Sequence, residues 1–148
     1  MLARRRSRRI LTRGQHACDR RRFRLRMESL EPRLPLADVS GAITSDRTWG
    51  LAGSPYRLVG DVFVRPGVEL TILPGVEVQR QFQSHELYVD GELTANEATF
   101  DTAVVFRQGS QGTIGSSSVT GGYIQVEEGS SPVIADTTFH DGTPVQVL

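Results

Sequence analysis

The sequence predicts an all-β chain, a single-stranded right-handed parallel β-helix of about four to five rungs, preceded by a disordered Arg-rich N-terminal arm. Three observations point there. From Tyr56 onward the apolar residues come in short alternating triplets, Pro-Gly and Asp-Gly pairs cut those triplets apart, and three apolar columns return at intervals close to 20 residues.

The arm comes first along the chain. Residues 1–36 hold twelve arginines against three acids, a balance of +9, whereas residues 37–148 hold five arginines against fourteen acids, a balance of −9. The zero net charge is a cancellation between a basic arm and an acidic body. Lysine is absent throughout, so part of the arginine content reflects base composition in the coding DNA. Residues 1–26 carry too much like charge and too few apolar side chains to offset the entropy of ordering.

Cys18 is the only cysteine, which excludes a disulfide within the chain, and His16-Ala17-Cys18-Asp19 lacks the four ligands of a structural zinc. No run approaches the roughly 18 apolar residues that span a bilayer. No transmembrane segment is expected, and a conventional secretory signal would need an apolar stretch that is missing.

Pro32 and Pro35 stop any helix that starts nearby. On its residues alone the arm has three readings: a targeting tail, a polyanion-binding arm, or an upstream extension with Met27 as the true start. Arginine would serve a nucleic acid by neutralising phosphate. It is the less expected partner, because Phe23 is the only aromatic in the arm and the body is acidic.

The phrase Glu28-Ser29-Leu30-Glu31-Pro32-Arg33-Leu34-Pro35-Leu36, following the Arg-rich run, resembles the LEPR-XLL motif near the N-termini of large bacterial proteins thought to be exported or surface-located. Pro35 stands where that motif has the first of its two leucines. The resemblance implies a sorting element over these nine residues, with export machinery as its partner and an exported, cell-surface or extracellular destination.

With the arm taken as residues 1–38, residues 39–66 read as linker and N-terminal cap, and residues 67–148 as rungs. Val62-Phe63-Val64, Leu70-Thr71-Ile72, Val76-Glu77-Val78 and Leu87-Tyr88-Val89 alternate with period two, between Pro66-Gly67, Pro74-Gly75 and Asp90-Gly91. These are strands and turns.

Phe100, Val119 and Phe139 recur at 19 and 20 residues, Leu93, Ile114 and Ile134 at 21 and 20, and Val89, Phe106, Val126 and Val147 at 17, 20 and 21. Strands that return to the same side once per repeat stack about 4.8 Å apart, and the inward columns fill one continuous core. An antiparallel sandwich accounts for the alternation but gives no reason for a shared interval.

Trp49, Ser54-Pro55-Tyr56, Gly60-Asp61-Val62, Gly67 to Ile72, Pro74-Gly75-Val76, Leu87 to Val89 and Gly91 to Ala95 are similar to the opening coils of extracellular bacterial β-helix proteins of pectin-lyase-like architecture. In such a fold Trp49 and Tyr56 lie over the first rung and close the N-terminal end of the core. At the other end Val145-Gln146-Val147 is followed by Leu148 alone. That bare edge predicts a fragment of a longer protein, or a subunit that stacks on a partner.

Asp90, Asp101, Asp136 and Asp141 lie near turns without forming a cluster. Asp90-Gly91 and Asp141-Gly142 read as turn residues, Glu127-Glu128-Gly129 as an acidic turn, and His140 as solvated. No phosphate-cradling glycines, nucleophile elbow or metal spacing occurs. No catalytic residue, metal or cofactor is expected, and the sequence favours a non-enzymatic exported protein whose stacked faces contact a cell-surface polysaccharide or a protein. The rival is a fragment of a polysaccharide lyase or hydrolase, which would use paired acids, or acids around calcium, with Asp101 or Asp136 among them.

Overall fold

The computed structural model describes residues 36–140 and 145–148. Residues 1–35 of the arm, with the sorting phrase from Glu28 to Pro35, lie outside the described residues, as does Asp141-Gly142; Leu36 is described and is exposed.

Every strand pairs in parallel, as a coiled chain requires. The first coil holds β1 (Ala37–Ile43) and β2 (Arg47–Trp49), and the second holds β3 (Tyr56–Val64) and β4 (Glu69–Ile72). The third is β5 (Glu77–Arg80), β6 (Glu86–Val89) and β7 (Glu92–Asn96). The fourth is β8 (Thr99–Asp101), β9 (Ala103–Phe106) and β10 (Gln111–Gly115), and the fifth is β11 (Ser118–Val119), β12 (Ile124–Val126) and β13 (Ser131–Ala135). β14 (Thr138–Phe139) and β15 (Gln146–Val147) open a sixth. Among the described residues the one helical piece is a single 3-10 turn, Leu51–Gly53.

Three ladders result. β2, β4, β7, β10 and β13 stack into a five-stranded sheet, while the other two ladders merge because the nine residues of β3 run through both of them. Its first half pairs with β5 and its second half with β6, and β1 lies along both halves with a register shift between Val39 and Gly41. A strand that changes face within its own length needs no turn there, so the second coil has two strands where three were expected.

The coil begins earlier than the sequence suggested. Ala37 and Asp38, placed in the arm by the expected boundary at 38, already pair with Tyr56 and Arg57. Arg57 fixes this start with a two-pronged ion pair, its Nε and Nη2 each donating to an Asp38 carboxylate oxygen at 2.9 Å. Residues 39–66, expected as linker and cap, hold the rest of β1, then β2, the 3-10 turn and β3 of the first and second coils.

Trp49 is an inward residue of β2, the end strand of the five-stranded sheet, in register with Ile72 and stacked on Tyr56 with ring centres 4.7 Å apart. The Tyr56 hydroxyl donates to the Gly50 carbonyl and accepts from the Gly50 N–H, so its polar end is satisfied.

The inward columns follow the pairing. Val78, Phe100, Val119 and Phe139 form one, and Val89, Phe106, Val126 and Val147 form another. The column drawn through Leu93, Ile114 and Ile134 is not one column. Leu93 stands between Leu70 and Gly112, whereas Ile114 and Ile134 continue the column of Ile72 and Ala95. Gly112 has no side chain to mark its place, so counting apolar residues steps two positions too far. Because inward residues recur every second position, a slip of two leaves the inside–outside pattern intact.

Burial falls along the columns. Val89, Leu93, Phe100, Phe106, Ile114 and Val119 are fully buried, Val126, Ile134 and Phe139 only partly so. Val147, expected in the core, is 76% exposed. A residue in a stacked coil is covered from both sides along the axis, and Val147 has β12 on one side only.

Candidate functional site

The outer surface departs most from plain stacking at the corner between the second ladder and the five-stranded sheet. Three of the coils round this corner with a four-residue turn: Arg65 to Val68, Arg107 to Ser110 and Glu127 to Ser130. Each is closed by a backbone hydrogen bond from its last N–H to its first carbonyl, at 3.1, 3.0 and 3.1 Å. Each has glycine at its third position with φ of +77°, +83° and +84°, the left-handed value this kind of turn needs there.

The third coil cuts the corner with Asp90-Gly91 alone. Both of their N–H groups donate to the Val64 carbonyl, at 2.8 and 3.1 Å. The shortened chain tucks so closely under the turn above that a Cβ on Gly91 would collide with the Arg65 and Val68 carbonyl oxygens. Glycine is required here by space rather than by φ.

A corner two residues shorter than its neighbours leaves a notch of about 450 Å³, bounded by Pro66-Gly67 on one side and Gly109 on the other. Asp46, Glu69, Asp90 and Glu92 line it. Glu69 and Glu92 are register partners, outward on adjacent strands. The Thr71 and Thr94 hydroxyls donate to Glu69 at 3.4 and 3.3 Å, and Gln111 donates to Glu92 at 3.2 Å.

Asp90 also faces the neighbouring surface, where its carboxylate lies 3.7 Å from an Arg107 nitrogen. Register brings Phe63 and Tyr88 together on the outside of β3 and β6. Their rings are 5.0 Å apart and 9° from parallel, and the Arg107 guanidinium carbon lies 4.2 Å from the Tyr88 ring centre and 5.5 Å from that of Phe63. Those three distances form a triangle, so the guanidinium leans on both rings instead of adding a third layer. Two rings and a planar, weakly hydrated cation make one flat contact surface.

Carboxylates border it. Glu86 accepts a 2.8 Å hydrogen bond from the Tyr123 hydroxyl, and Asp61 accepts from the Glu86 N–H at 3.2 Å and lies 4.0 Å from His85 Nδ1. Burial, and then hydrogen bonding to Glu86, push the Tyr88 phenol up to about 12. The Tyr123 phenol is raised for the same two reasons in the same order. Val105, outward on β9 beside Tyr88, is nonetheless 3% exposed, which shows how closely this outer face is packed.

Of the acids considered from sequence that are among the described residues, only Asp90 belongs to this surface. Asp101 ends β8 in the fourth coil, and Asp136 sits in a left-handed turn after β13 with φ of +50°. They belong to different coils and form no pair. Among the described residues no group of three or more His, Cys, Asp or Glu is arranged to hold a metal.

The grouping of Phe63, Tyr88, Arg107, Glu86 and Asp61 is not legible in the sequence, because their meeting depends on register between strands about 20 residues apart. One signal of the notch was present: the 17-residue step from Val89 to Phe106, shorter than any other in its column. No protein-family model, curated protein or solved structure matches the chain.

Proposed function

We propose that this chain is a non-enzymatic β-helix protein, exported or held at the cell surface, whose outer face contacts a polysaccharide or a protein. One observation carries the contact reading: the Phe63–Tyr88–Arg107 surface is continuous, through Asp90, with a notch of about 450 Å³. That volume falls within the roughly 300–1,000 Å³ of ordinary ligand clefts. Flat, weakly hydrated surfaces suit the C–H faces of sugar rings, and the bordering carboxylates accept hydrogen bonds from sugar hydroxyls. A cleft flanked by an aromatic pair is also a usual form of protein contact.

Affinity electrophoresis of the chain through gels containing different polysaccharides tests this reading. Retardation is expected, and Phe63→Ala or Tyr88→Ala should weaken binding about tenfold, since one stacked ring contributes on the order of 1–1.5 kcal/mol. Unchanged mobility of both variants in a gel that retards the native chain would move the contact elsewhere.

The destination rests on the phrase Glu28 to Leu36 and its likeness to a sorting motif, with export machinery as partner. Fractionation of cells making a tagged chain should recover it outside the cytosol. Deletion of residues 28–36 should return it there.

A further inference from the structure

The third coil departs from its neighbours at both ends of β6. After β6 the chain rounds the corner with Asp90-Gly91 alone, and before β6 it does the opposite. Residues 81–85 stand between β5 and β6, whereas Thr102 alone separates β8 from β9 and β3 runs through without a break. That longer loop carries Phe82, 60% exposed and the one exposed aromatic among the described residues.

The loop is held in place. The Gln81 N–H donates to the Leu58 carbonyl at 2.8 Å, and a turn closes from the His85 N–H to the Phe82 carbonyl at 3.1 Å. Arg80 donates to the Gln83 carbonyl at 3.4 Å, and the Thr102 hydroxyl to the His85 carbonyl at 3.1 Å. A ring presented on a pinned turn loses little freedom when something binds it.

Phe82 also joins the surface already described. Its ring meets that of His85 edge-on, with centres 5.6 Å apart, and His85 Nδ1 lies 4.0 Å from the Asp61 carboxylate that accepts the Glu86 N–H. From there Glu86, Tyr88 and Asp90 take alternate positions along the outer face, and Asp90 lines the notch. At about 3.3 Å per residue Glu86 to Asp90 spans ~13 Å, and a turn with ends within about 7 Å carries the row on to Phe82. Along the solenoid axis the rings run out, since Phe63 and Tyr88 are followed by Val105 and Gln125.

A straight row on one strand fits a straight ligand. An extended peptide would look for backbone partners, but both edges of β6 are taken by β3 and β9, so the row offers side chains only. Rings and carboxylate acceptors suit a chain of sugar rings and hydroxyls. We infer that the site takes an internal stretch of a straight, β-linked polysaccharide lying along the third coil, across the solenoid axis, with Phe82 as a ring contact beyond Tyr88. The inference rests on the contact reading above. It requires several sugar units, because a disaccharide falls short of the distance from Phe82 to the notch.

Competition in affinity electrophoresis of the full chain tests this. The gel holds soluble β-glucan, an uncharged polymer that offers the arginines of residues 1–36 no ionic attraction. The glucan's hexasaccharide should relieve retardation at a concentration at least about tenfold lower than its disaccharide, since one more stacked ring is worth about that factor. Phe82→Ala should weaken retention by the glucan about tenfold and bring the two oligosaccharides close together. Circular dichroism checks that variant's fold, which loss of an exposed side chain should leave intact. A polyproline peptide of matching length, straight but without hydroxyls, should compete far less well than the hexasaccharide.

Equal competition by the two oligosaccharides, or unchanged retention of folded Phe82→Ala, overturns the inference and leaves the contact reading standing. Peptide competition equal to the hexasaccharide's also overturns it, by assigning the row to a protein. No retardation by the glucan overturns the inference, and none in any gel of the polysaccharide panel overturns the polysaccharide contact with it.

Discussion

The second and third coils and the last strands are built from the same kind of residue in the same columns, yet they are buried differently. Val64, Val78 and Val89 are sealed from solvent, whereas Phe139, in the column of Val78, is partly buried and Val147, in the column of Val64 and Val89, is exposed. β3 and β6 have strands on both sides, while β14 and β15 each pair on one. Hydrophobic character decides which way a residue points in a stacked coil, and neighbouring coils decide how much that direction contributes. Stability is then close to a sum of coil and interface terms, and weakest where interfaces are fewest.

The largest expected effect comes from two phenylalanines in one column. Phe100→Ala should cost about 3–5 kcal/mol, a usual loss for emptying a sealed aromatic site, and Phe139→Ala about 1 kcal/mol, since less of its surface leaves water. Urea unfolding of the two variants measures the difference. Equal losses would show that the last strands are as well supported as the fourth coil.

Next comes the corner. Gly91→Ala forces a methyl group against the Arg65 and Val68 carbonyls and should cost about 2 kcal/mol or more. Gly129→Ala, at the corner of the fifth coil, meets only a Gln108 side chain that can move and pays chiefly for φ of +84°, about 1 kcal/mol. The comparison separates a glycine demanded by close approach from one demanded by backbone conformation. Loss of glycan retardation in a folded Gly91→Ala chain would also tie binding to the notch.

A smaller effect should be the same in both regions. Glu97 and Asp136 occupy equivalent turns with φ of +51° and +50°. Replacing either by glycine relieves the left-handed strain at some cost in chain entropy and should stabilise by about 0.5 kcal/mol. Because that strain is local, a clear difference between the two would show that the turns themselves feel the number of neighbouring coils.

The phenols report on the regions with the least perturbation. The Tyr88 pKa is raised to about 12, so the folded chain favours the neutral phenol more than the unfolded chain does. This contribution is fully present below the ordinary tyrosine value near 10 and is lost as pH rises through about 12. Ultraviolet titration should show a late ionisation that Tyr88→Phe removes. Tyr123, in the fifth coil, should also ionise late. Glu86→Gln should advance both phenols, since Glu86 contributes to each shift after burial.

Pattern alone made the class of fold legible. Alternation required strands, and a shared interval required coils, because no sandwich repeats three columns at one spacing. Two of the columns could be read to the residue, since each position carried a large apolar side chain. The column through Leu93 could not, because Gly112 is silent in such a count. Nor could the merging of two ladders in β3, where Leu58, Val62 and Val64 give no sign that the chain changes face.

What the sequence determined by itself was inside against outside, because that depends on each residue's own affinity for water. Which outward residues would meet was a tertiary decision. Phe63 lies 25 residues from Tyr88, and Arg107 meets both because the pairing of β9 with β6 brings the end of β9 beside them. Register across coils is fixed by the summed pairing of whole ladders, and no short stretch of sequence carries that sum.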